Sequence, residues 1–114
     1  MQVAQPFIVN VACTGVIPTR AMSPHVPLSH DEIVADVGAC LELGVQMVHL
    51  HARDAWGVQT GEPEPYGRLI ESIRTLSGGA ELVVCVTTSG RLAAMLERPL
   101  MQRTEVRHRL GLKA

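Results

Sequence analysis

The stretch SHDEIVADVGACLELGVQMVHLHARD, residues 29–54, passes from a helical pattern to a strand pattern within a few residues. Ser29, with Glu32 three positions on, has the spacing of a capping box, in which two side chains satisfy backbone N–H groups at a helix start. Beyond it Ile33, Val34, Val37, Cys40 and Leu41 recur at helical spacing. Gly44, just after Leu43, is a C-terminal stop, because glycine accepts the left-handed backbone that ends many helices. Val45 to His51 then reads as a strand with few breaks in its apolar character.

The flanking segments repeat the same alternation. PFIVNVACTG, rich in β-branched residues and bounded by Pro6 and Gly15, predicts a buried strand from about Phe7 to Cys13. The loop that follows, TGVIPTRAMSPHVPLS, carries three prolines, which forbid continuous helix or central strand. Sixteen residues without regular structure inside a compact domain point to function. After His51 comes the polar loop ARDAWGVQTGEPEP, and Pro65 suits the first turn of a helix running to about Leu76 and burying Leu69, Ile70 and Ile73. SGG breaks that helix, LVVCV makes a third strand from Leu82 to Val86, and TTSGR is a third polar loop. The remainder is helix-prone to Arg98, broken by Pro99, then basic and weakly patterned.

Apolar strands alternating with helices indicate an α/β fold with parallel βαβαβ units and right-handed crossovers. The connections are asymmetric. Loops that follow strands carry Thr14, Thr19, Arg20 and His25, then His49, His51, Arg53 and Asp54, then Thr87, Thr88, Ser89 and Arg91, whereas those that precede strands are short and rich in glycine. In parallel α/β folds the carboxyl ends of the strands are where sites are built.

Composition narrows the function classes. With 114 residues, 46% hydrophobic and 18% charged, the chain suits one soluble globular domain at most. A formal charge of -1 gives no electrostatic footprint for nucleic acid or an anionic membrane. Cys13, Cys40 and Cys85 are odd in number and set in apolar surroundings, so they read as reduced core thiols without basic neighbours to activate them. The N-terminus has neither a basic region nor an apolar run long enough for a signal core or a membrane span, and a cytoplasmic location is expected.

Residues two apart in a strand share a face, so His49 and His51 project together with Met47, opposite Val48 and Leu50. Two readings are open: one imidazole bonded to a loop and the other solvated, or two neutral imidazoles on a divalent metal that keeps an open position. The strand-end position favours the metal. Thr87, Thr88, Ser89 and Gly90 could offer hydroxyls and N–H groups to a carboxylate or phosphate, or simply form a capped turn. Arg53 and Asp54 read as a loop salt bridge before a histidine orienter or an anion anchor. His25, His30 and His108 read as solvated polar residues. Glycine-rich nucleotide fingerprints and a nucleophile-elbow flank are absent.

NVACTGVIPTR, HDEIVADVGACLELGVQMVHLHARD, IESIR and VVCVTTSGR, in this order, resemble the amino-terminal part of the β-keto acid cleavage enzyme family, which includes the 3-keto-5-aminohexanoate cleavage enzymes. The resemblance covers about residues 6–91. It implies the first three βα units of a (β/α)8 TIM-type barrel, and a zinc-dependent conversion of a β-keto acid and acetyl-CoA into acetoacetate and a new acyl-CoA. His49 and His51 would be two metal ligands, with Zn2+ or another divalent metal as cofactor, and Thr87, Thr88 and Ser89 would hold the keto acid. The family's third ligand, a late glutamate, and its acid–base groups lie beyond the region of resemblance.

Two departures follow from the comparison of motifs. Family members acting on the amino-substituted substrate pair its ammonium with a glutamate in the first loop, where this chain has Ile17, so a different β-keto acid is implied. The chain also holds three βα units where a barrel has eight in typically ~250 residues. The expectation is a truncated or split protein, with residues 1–91 as barrel and 92–114 as a divergent helical or irregular tail, inactive alone. Its uncovered sheet edge would favour a homo-oligomer or a complementing fragment. Two other readings stand beside this one: a fragment of a metal-dependent hydrolase barrel, whose H-x-H usually sits on the first strand, and a non-catalytic remnant or assembly subunit.

Overall fold

A computed structural model describes residues 6–86, 102–109 and 111. Within them the chain forms β1 (Asn10–Ala12), α1 (His30–Glu42), β2 (Met47–Leu50), α2 (Pro63–Arg74), β3 (Val83–Val86) and α3 (Arg103–Arg109). The α/β alternation expected from the apolar pattern is therefore present. The three strands are parallel in the order β1-β2-β3, so the histidine-bearing strand is central.

Helix α1 starts as its sequence dictates. The Glu32 N–H donates to Ser29 Oγ at 3.2 Å, and the Ser29 N–H donates back to Glu32 Oε1 at 3.4 Å. It ends at Leu43, after which Gly44 takes φ 86, a backbone that costs any other residue strain. Helix α2 begins at Pro63 and carries Pro65 in its first turn, as expected, and it ends at Arg74 rather than near Leu76. The first turn of a helix leaves its N–H groups unbonded, so both prolines fit there. At its other end Arg74 Nη1 donates to the carbonyls of Gly79 (2.7 Å) and Leu82 (2.5 Å), drawing the turn back onto the helix. That turn is tight enough that a Cβ on Gly79 would lie 1.8 Å from the Ile73 carbonyl oxygen.

Both helices cover one face of the sheet. Ile33 and Val37 of α1 and Tyr66, Leu69 and Ile73 of α2 pack with Val48 and Leu50 of β2, Ala52 and Leu82 into one buried cluster. Val11 and Val84, level with Val48 in the parallel register, pack against the same cluster. The opposite face presents Met47, His49 and Cys85, all half-buried.

The first strand differs from expectation. It spans Asn10–Ala12 rather than Phe7 to Cys13, and Phe7 and Ile8 are 83% and 65% exposed. Its run of apolar residues suits a strand covered on both faces, but β1 stands at the edge of the described sheet with helices on one side only. The expected helix to Arg98 and the break at Pro99 lie outside the described residues. In the segment beyond, α3 carries an Arg109–Glu105 ion pair at 2.9 Å. No helix among the described residues is long and apolar enough to cross a membrane.

Candidate metal and substrate site

The alternation of β2 places its side chains as the sequence implied. Val48 and Leu50 are buried while Met47 and His49 are half-buried on the other side. His51, just past the strand, continues the histidine face, and the two imidazoles stack with centroids 4.8 Å apart and planes at 30°. Because the sheet is parallel, the loops after β1 and β2 leave it at the same end, and the polar groups of both meet there.

Burial is the chief force that lowers the pKa of His51, and the neighbouring charges of His49 and Arg53 push the same way, against a weaker pull from the Thr14 backbone. The ring is thereby biased to its neutral form, the form that ligates metal. Its Nδ1 is buried and has no hydrogen-bond partner. Two neighbouring imidazoles, one with an unsatisfied ring nitrogen, fit a divalent cation as a partial ligand set. Among the described residues no third His, Cys, Asp or Glu joins them into a metal-binding group.

Arg53 and Asp54 do not form the expected loop salt bridge. Asp54 Oδ1 accepts from the backbone N–H groups of Trp56 (2.8 Å) and Val58 (2.9 Å), so the carboxylate is consumed inside its own turn. Arg53 Nη1 donates to the Gly57 carbonyl at 3.0 Å, and Nη2 donates to the carbonyl of Gly15 in the loop after β1. A strand-like bridge between Arg53 and Gln59 closes the turn.

The loop after β1 is held at its far end by Arg20, which donates to the Val26 carbonyl at 2.9 Å and to Glu32 Oε1 at 2.7 Å. The Arg20 hydrogen bond is the main reason the Glu32 carboxyl drops to about 2, with Ser29 adding to it. One carboxylate thus caps α1 and anchors the loop. Thr14, at the loop's start, is 6% exposed and its Oγ1 is buried without a partner. Thr19 Oγ1 accepts from the Met22 N–H at 3.3 Å.

His30 departs from the solvated reading: its Nε2 lies 3.0 Å from Ser72 Oγ, joining α1 to α2. The cysteines are free and half-buried. Burial, and then the hydrogen-bonding Asp36, push the Cys13 thiol up to about 12, so it is no nucleophile. Thr87, Thr88 and Ser89 lie outside the described residues. A groove of about 510 Å³ lined by Val34, Gly38, Ala39 and Leu76 belongs to the helical layer and is no part of this site.

The family model described as beta-keto acid cleavage enzyme matches residues 6–112, so the match also takes in the tail beyond Arg91. The chain is 37% identical over 94 residues to a 3-oxoadipate:acetyl-CoA acetyltransferase of Cupriavidus necator, covering 82% of this chain and 32% of the relative. It is 31% identical over 91 residues to a 3,5-dioxohexanoate:acetyl-CoA acetone transferase of Paraburkholderia graminis, covering 79% and 28%. A 3-keto-5-aminohexanoate cleavage enzyme of Fusobacterium nucleatum is 26% identical over 102 residues, covering 90% and 36%. The chain spans about a third of the length of the curated relatives it matches. By the family match, which spans nearly all of its residues, the chain belongs to the β-keto acid cleavage enzyme family.

Proposed function

We propose that residues 6–86 form the first βα units of a TIM-type barrel that converts a β-keto acid and acetyl-CoA into acetoacetate and a new acyl-CoA. The observation that carries this is the pair of stacked imidazoles at the carboxyl end of the central parallel strand, with His51 Nδ1 buried and unpartnered. Family membership supports the reaction class, and the acetyl-CoA in two relatives' names supports the co-substrate.

In this reading His49 and His51 hold a divalent metal, zinc in the first instance. Such a metal would supply Lewis acidity that favours the negative charge developing as the substrate's α-carbon loses its proton. The rest falls to the chain itself. Burial and the nearby charges of His49 and Arg53 bias His51 toward its neutral form, against a weaker opposing effect of the Thr14 backbone. Thr87, Thr88 and Ser89, next along from β3, bind the keto acid through their hydroxyls. Ile17, 72% exposed in the first loop, offers nothing to an ammonium group, which favours a β-keto acid without a positive charge. The same reading places the protein in the cytoplasm and has the exposed edge of its sheet met by a further copy of the chain or by a complementing fragment.

A chimera tests the reading. Residues 6–86 replace the matching segment of the Cupriavidus necator relative, and acetoacetate is measured with acetyl-CoA and a panel of β-keto acids. The proposal requires zinc-dependent product that disappears in H49A and H51A. Undiminished product from a folded H49A/H51A chimera refutes the assignment of the pair.

A further inference from the structure

Arg53 follows His49 and His51 at the same two-residue interval, and its guanidinium joins two loops. One arm reaches the Gly57 carbonyl in its own turn and the other reaches the Gly15 carbonyl, 38 residues earlier, at the root of the loop after β1. Both acceptors are neutral carbonyls, so charge neutralisation is not what holds the side chain there. Nε is buried within the junction.

The consequence concerns what Gly15 adjoins. Thr14 is almost fully buried, and its backbone lies close enough to act on the His51 ring. Any shift of Gly15 therefore shifts Thr14 against the histidine. At its other end the same loop is tied by Arg20 to Val26 and Glu32. The loop is thus anchored at both ends by an arginine, and the anchor nearer the histidines is Arg53.

We propose that Arg53 is a positioning residue, which by bonding the Gly15 and Gly57 carbonyls together sets the loop after β1 against the histidine pair. A planar guanidinium presents its two Nη groups in a fixed fork, so it can bond two separate acceptors at once. A lysine ammonium carries the same charge but lacks that fork. What the loop is set against rests on the reading of His49 and His51 as metal ligands; the tie itself does not.

The test compares the full chain with R53K and R53A by amide hydrogen exchange without metal, then by titration with Co2+ as the probe. The tie predicts that R53K and R53A each lose about tenfold or more of the protection of the bonded amides in the two loops it joins, Met22 and Ser23 in the first and Gly57 and Val58 in the second, with residues 30–42 unchanged. Co2+ affinity should fall about tenfold in R53K, as for other outer-shell supports of a metal site. Wild-type exchange in R53K overturns the proposal, as does a loss spread evenly over the chain. Equal Co2+ affinity in R53K and wild type overturns the positioning role. If wild type takes up no Co2+, the metal-ligand reading fails, while the tie is still decided by exchange. Should the variants not fold, NMR of the wild-type Arg53 decides: separate, slowly exchanging Nη protons near Gly15 and Gly57 support the tie, and one averaged signal overturns it.

Discussion

Leu50 and His51 are neighbours in sequence and opposites in the fold, so truncating each to alanine separates the two faces of β2. Leu50 is 1% exposed within the helix-covered cluster. Its loss removes the transfer free energy of the side chain and leaves a cavity, together about 3 kcal/mol. For a domain of this size that lowers the melting temperature by roughly 10–20 °C. His51 is half-buried, and its Nδ1 makes no hydrogen bond to lose. Truncating it should cost under about 1 kcal/mol. Zinc narrows the gap between them: at about a hundred times its dissociation constant it adds roughly 2.7 kcal/mol to a chain that binds it only when folded. Wild type and L50A should gain that increment, and H51A should lose most of it. Thermal melts followed by circular dichroism, with and without zinc, measure all of this. The reasoning is refuted if H51A without zinc melts as low as L50A, or if zinc raises all three proteins equally.

Other perturbations probe the supports of the site. The Glu32 carboxyl, held at about 2 against an ordinary 4.5, contributes stability that is complete above the ordinary value and is lost as pH falls through the folded one. An NMR pH titration should show the Glu32 carboxylate keeping its charge down to about 2, and R20A should move its midpoint back up. G79A, which sets a Cβ against the Ile73 carbonyl, should lower stability in urea by about 3 kcal/mol, and a midpoint like wild type would contradict the tight turn. Tyr66 is fully buried with its hydroxyl unpartnered, so Y66F should be neutral or stabilising by up to about 1 kcal/mol, and a loss beyond that would contradict its packing.

Local chemistry was the most legible part of the sequence. The Ser29–Glu32 spacing fixes the start of α1, Gly44 its end, and the alternation of Met47, Val48, His49 and Leu50 sets which side chains meet the helices. These features depend on neighbours a few positions away. Features that depend on distant partners were not legible. Nothing near Arg53 announces a bond to Gly15, and nothing near His30 announces Ser72. A nearby Asp54 even suggested the wrong partner, because sequence proximity does not reveal that a carboxylate is already taken by its own turn. The exposure of Phe7 and Ile8 has the same origin: apolar residues announce that a surface is to be covered, and what covers it is set elsewhere.

Whether His49 and His51 bind a divalent metal together is read from the zinc K-edge absorption of the chain loaded with one equivalent of zinc. Scattering from two imidazole ligands at about 2.0–2.1 Å is expected, and it should be lost in the H49A/H51A protein. A zinc spectrum without imidazole scattering, or the same spectrum from the double variant, would contradict it.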